Sequence, residues 1–233
     1  MTDDGQNCRS FRFFNDAGSP KMQVDSAIEL GRDDPALEFP WSSEGGSLRY
    51  SDLRSDPALI EQIPEAANNS ELRAFLLRMN APDFALQTAK SDVWNTDEIT
   101  PEEEIFAAGQ KFVSYIDLIF ADNEPRLSLD AHTELTTKLC KLLQSAPEMA
   151  SSIEFVIRHC HYHRGATDTA GMPDRPLDTA KGSTSAATVD DSQLGFCITT
   201  YVSCFGESEA EARLRWSIAL TLLQHALIQA VRA

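Results

Sequence analysis

Residues 153–163 read Ile-Glu-Phe-Val-Ile-Arg-His-Cys-His-Tyr-His, and residues 194–205 read Leu-Gly-Phe-Cys-Ile-Thr-Thr-Tyr-Val-Ser-Cys-Phe. In the first run Ile153, Phe155 and Ile157 alternate with Glu154, Val156 and Arg158. A period of two puts one set on each face of a β-strand. The second run is rich in Thr, Val, Tyr and Phe, residues that fit a pleated surface. Strands adjacent in sequence usually pair, so an antiparallel hairpin is expected. The 164–193 connection holds Gly, Ala, Thr, Ser, Asp and Pro and almost nothing to bury. It reads as a flexible insert.

A helix is expected to follow the hairpin from Ser208 to the C-terminus. Gly206 breaks the strand, and Ser208-x-x-Glu211 is a capping box. Ala212, Trp216, Ala219, Leu220, Leu223, Leu227 and Val231 share one face, widened by Ile218, Leu222 and Ile228. So broad a stripe implies cover from more than one side, by a second helix or a partner chain.

Upstream, Asp56-Pro57 starts a short helix, and Glu71–Met79 gives another with Ser70 as its cap. Phe84–Trp94 reads as a strand. Thr100-Pro101-Glu102-Glu103 is a helix start. The spacing of Gln110, Ser114, Asp117 and Asp122 predicts that this helix runs to about Ala121. Another helix spans 129–146, capped by Ser128 or Asp130, and would lie antiparallel to it. The fold class is therefore α+β, an antiparallel sheet of three or more strands packed against long amphipathic helices. This domain covers 56–233 and follows an irregular N-terminal arm, 1–55, rich in Asp, Glu, Ser, Gly and Pro, with Phe39 and Trp41 as anchors.

The net charge of −16 excludes the simplest nucleic-acid and anionic-membrane readings, which rest on Lys and Arg. It favours basic or cationic partners. No apolar run is long enough to cross a bilayer. Five cysteines, odd in number and without CxxC, suit buried thiols in a reducing cytoplasm.

The sharpest chemical candidate is His159, His161 and His163, a row on one strand face. Such a row could hold zinc or another divalent metal if further ligands converge on it, with His132 the nearest candidate. The plainer reading is partly buried aromatic packing at a sheet margin. Cys160 facing a strand that carries Cys197 and Cys204 offers a thiol pair, or simple apolar packing. Trp94, Tyr115, Tyr201 and Trp216 read as core or as pocket walls. No phosphate loop, nucleophile elbow or HExxH is present. The preferred function is a non-enzymatic cytosolic interaction or assembly module, able to form a homo-oligomer. The alternative is a metal-binding protein or metal-dependent hydrolase.

Overall fold

The computed structural model describes residues 22–43, 49–163 and 192–232. Its center is the expected hairpin. Strands β5 (Ser151–His163) and β6 (Ser192–Gly206) run antiparallel from the Ser151–Cys204 pair to the His163–Ser192 pair. The rest of the predicted insert, 164–191, lies outside the described residues.

Around this hairpin the order is β1 (Gln23–Glu29), β2 (Leu37–Phe39), α1 (Pro64–Asn68), α2 (Ser70–Met79), β3 (Leu86–Thr96), β4 (Gln110–Phe120), α3 (Asn123–Arg126), α4 (Leu129–Leu143), β5, β6 and α5 (Glu209–Arg232). The strands form one six-stranded mixed sheet, β1-β5-β6-β4-β3, with β2 also on β5. The class is α+β. The expected all-antiparallel sheet is corrected at one edge, where β1 and β2 both run parallel to β5.

That edge also corrects the irregular arm. Val24 and Ile28 of β1 pack into the core on one side. At Gly31 the chain turns, with the Gly31 amide donating to the Asp34 carboxylate at 2.6 Å and the Asp34 amide to the Gly31 carbonyl at 3.2 Å. It then rejoins the same edge one step further on, Leu37 opposite Cys160 and Phe39 opposite Tyr162.

The larger correction is at 101–121. The start is as expected: Glu103 reaches back to the Thr100 amide at 2.9 Å. Yet it opens only a 3₁₀ turn, Pro101–Phe106, which ends at Ala107 with φ 47°. Lys111 clamps Glu103 at 2.8 Å, and the chain continues as β4, hydrogen-bonded to β3 and β6. Ser114 and Asp117, three apart, match a helix only if both face solvent. On a strand they lie on opposite faces, and each is buried with a partner. Ser114 accepts from Trp216 Nε1 at 2.9 Å, and Asp117 accepts from Thr199 Oγ1 at 2.6 Å. The expected antiparallel helix pair is thus a strand followed by α4, which Ser128 caps through the Ala131 amide at 3.1 Å.

Helices α2, α4 and α5 all cover the same side of the sheet. Phe112, Ile116, Leu118, Ile153, Phe155, Ile157, Ile198 and Val202 meet buried residues of α2, α4 and α5 in one core. Trp216 is its largest fully buried side chain, edge-on to Phe112 at 5.1 Å. Such aromatic burial drives packing more than any polar contact on this face. Among the described residues, no helix is long and apolar enough to cross a membrane.

Candidate functional site: the helix-free face of the sheet

The opposite parity of the same strands builds a second surface. One apolar cluster there joins Phe39, Ala89, Ile119, Cys160, Tyr162 and Cys197, with Leu37 and Tyr50 against it, and a second joins Phe106, Ala150 and Phe205. Cover comes from the segments around Phe39, Trp41 and Tyr50 and from Arg126 of α3 at one end, and from the Pro101–Phe106 turn at the other. The remainder carries aromatic, cationic and acidic side chains in cross-strand rows.

Strand register sets these rows. Asp92 lies opposite Tyr115, Tyr115 opposite Tyr201, Tyr201 opposite Glu154, and Glu154 opposite Asp25. In the neighbouring row Lys90 faces Asp117, and Asp117 faces Thr199. Arg158 pairs with Glu29 on β1. The rings of Tyr115 and Tyr201 are 6.3 Å apart, and Trp94 is 6.3 Å from Tyr115. Cations sit over them: Lys90 Nζ is 5.4 Å from the Trp41 ring and 5.7 Å from that of Tyr115, and the Arg158 guanidinium is 5.7 Å from that of Tyr201. Arg158 also donates to the Tyr201 hydroxyl at 3.1 Å and to Glu29 at 2.8 Å. The band crosses the sheet from β3 to β1.

Asp117 is the buried charge beneath it. Burial pushes its carboxyl up to about 6, opposed by the Thr199 hydrogen bond, Lys90 and Arg158. Burial first, then Asp117 and Asp92, holds Tyr115 well above the usual phenol range. Tyr115 is therefore a neutral donor. The face is equipped to stack rings, hold cations and hydrogen-bond.

The predicted histidine row is divided. His159 faces the helices and stacks on Phe196 at 5.7 Å, its Nδ1 buried without a hydrogen bond. Phe196 also meets His132 at 5.7 Å. His132 Nδ1 donates to the Ser128 carbonyl at 2.8 Å, and burial pushes its pKa down. His161 is half-buried, opposite Leu194 and Glu38. His163 is at the rim, where its Nε2 meets the Glu38 carboxylate. Among the described residues, no group of three or more His, Cys, Asp or Glu side chains is placed to hold a metal ion.

Cys160 and Cys197 lie together on the helix-free side, both fully buried. The Cys160 hydrogen bond, then burial, pushes the Cys197 thiol up, and burial does the same to Cys204. Held as neutral thiols without access, they are poor nucleophiles. Of the four aromatics singled out in the sequence, Trp216 is core, while Trp94, Tyr115 and Tyr201 belong to the open face. The sequence reading missed Lys90 and Arg158 as parts of a surface. Their signal was parity: Glu154 and Arg158 share the strand face that Ile153 and Ile157 avoid.

Comparison with known proteins brings no match, neither to a family model, nor to a curated protein, nor to a solved structure.

Proposed function

We propose that the protein is a non-enzymatic interaction module of the cytoplasm, and that its helix-free sheet face receives a basic, extended segment of a partner protein. The observation that carries this reading is the aromatic band itself, edged by Asp25, Glu29, Asp92 and Glu154. Its rings already hold cations of this chain, so a partner's Arg or Lys would use the same chemistry. A cation over a Tyr or Trp ring contributes about 0.5–2 kcal/mol, more as water is excluded. Trp94 is 40% exposed and, among the described residues, has no cation over it. The net charge of −16 would steer a basic partner from a distance. Buried free thiols at Cys160, Cys197 and Cys204 agree with a reducing compartment.

The test is a titration with an alternating Arg-Ser octapeptide and its Glu-Ser counterpart. The Arg peptide should bind and weaken with added salt. Trp94→Ala and Asp92→Asn should each weaken it about fivefold, roughly 1 kcal/mol. Equal binding of the Glu peptide, or indifference to both variants, would refute the reading.

A second reading, self-association, has its own observation. Leu214 and Ile218, one turn apart on the outer side of α5, are 62% and 44% exposed. If copies meet there, Leu214→Lys should lower the mass seen by light scattering. A wild-type monomer at all concentrations would remove this reading.

A further inference from the structure

Where residues 39–42 and 49–52 lie against the end of the sheet they leave a cavity of about 500 Å³, within the size range of small-molecule sites. Its walls are aromatic, from Phe39, Trp41, Tyr50 and Tyr162, and its cations are Arg49 and Arg126.

Arg126 is held in place. Its guanidinium lies 5.1 Å from the Tyr162 ring and 5.7 Å from that of Phe39. Its Nε donates to the Phe120 carbonyl at 2.6 Å, and its Nη1 to Asn123 Oδ1 at 3.2 Å. Among the described residues, its Nη2 makes no hydrogen bond. Gly195 allows this arrangement. A Cβ there would stand 2.6 Å from the Arg126 carbonyl and 2.9 Å from the Tyr162 ring. Tyr162 is fixed in turn by donating to the Phe196 carbonyl at 2.7 Å, and Trp41 by donating to the Ala89 carbonyl at 2.8 Å. A guanidinium already ordered by stacking loses little freedom on meeting an anion.

The one carboxylate in the wall, Asp52, serves its own turn. It accepts from the Arg54 and Ser55 amides at 3.2 Å, from Ser55 Oγ at 2.7 Å and from the Tyr50 hydroxyl at 3.5 Å. His163, also in the wall, meets Glu38. Within a strongly acidic chain, this cavity is a local cationic and aromatic site.

We infer that the Phe39–Tyr162 cavity is a binding site for a small planar aromatic carboxylate, its ring among Phe39, Trp41, Tyr50 and Tyr162 and its carboxylate on Arg126 and Arg49. The site shares Trp41 with the peptide surface proposed above but uses none of that surface's acidic edge.

Calorimetry with 2-naphthoate and 2-naphthamide tests it on the full chain. The carboxylate should bind at least tenfold more tightly than the amide. Arg126→Gln should abolish that preference, Arg49→Gln should reduce it, and Trp94→Ala, outside the cavity, should leave it unchanged. If circular dichroism shows that Arg126→Gln does not fold, exposed Arg49 and the acid–amide comparison decide. No heat with naphthoate at millimolar concentration, equal binding of the amide, or a preference untouched by Arg49→Gln and by any folded Arg126→Gln would overturn the inference.

Discussion

On β5, Ile153, Phe155 and Ile157 enter a core closed by three helices, whereas Glu154 and Arg158, one residue along, enter the face opposite those helices. The two faces share every strand and differ only in parity. The covered face is held by apolar area and shape, and its buried polar contacts include Trp216 to Ser114 and Asn80 to Thr88. The open face is held by charge and ring geometry, which water and salt weaken. Stability should therefore reside on the first face and adjustable chemistry on the second.

Trp216→Ala makes the strongest attempt to break that division. Trp216 is fully buried, so its loss should cost about 3–5 kcal/mol in denaturant unfolding. A loss below about 1 kcal/mol would mean that the helix-covered core is not the seat of stability.

Asp117 sharpens the comparison, because it is a charge buried on the face held by charge. Its folded-state pKa, about 6, lies above the ordinary value of 3.8. The folded chain therefore keeps this proton between those pH values while the unfolded chain gives it up. Asp117 thus lowers stability as pH rises from about 4 to 6, in all by about 3 kcal/mol. His132, whose pKa is lowered, has the opposite sign, its contribution being lost as pH falls. Comparison with Asp117→Asn isolates the carboxyl, since the amide oxygen can still accept from Thr199. The variant should gain on the wild type as pH rises from 4 to 7. Parallel stability curves for the two proteins over that range would show that Asp117 titrates normally.

Much of the covered face was legible in the sequence. Alternation gave β5, composition gave β6, and a capping box with a broad apolar stripe gave α5, at whose start the Ser208 hydroxyl does accept from the Glu211 amide at 3.3 Å, while the Glu211 carboxylate accepts from the Glu207 amide rather than that of Ser208. β4 was not legible, because Ser114 and Asp117 are polar positions satisfied by Trp216 and Thr199, distant in sequence. A polar residue with a buried partner looks like a solvent-facing one until the partner is known. β1 and β2 were hidden for another reason. A parallel edge strand gains its hydrogen bonds from a segment more than a hundred residues away, and no local turn signals the pairing. The histidine row was legible as a row on β5. That its members use Phe196 and Glu38 separately depends on β6 and β2, which no spacing within 153–163 encodes.

The smallest expected effect tests where the two faces meet. Gly195 lies opposite Cys160 on the open side, and the Arg126 carbonyl occupies the place of its missing side chain. Gly195→Ala must push back either α3 or the Tyr162 ring, an overpacking cost of about 1–3 kcal/mol. Because the displaced groups are cavity walls rather than core, unfolding should shift only modestly while Arg126 moves off Tyr162. Loss of 2-naphthoate binding with small loss of stability is the expected pair. Collapse of the fold would place Gly195 among the structural positions of the covered face, and unchanged binding would mean that Arg126 needs no such close approach to work.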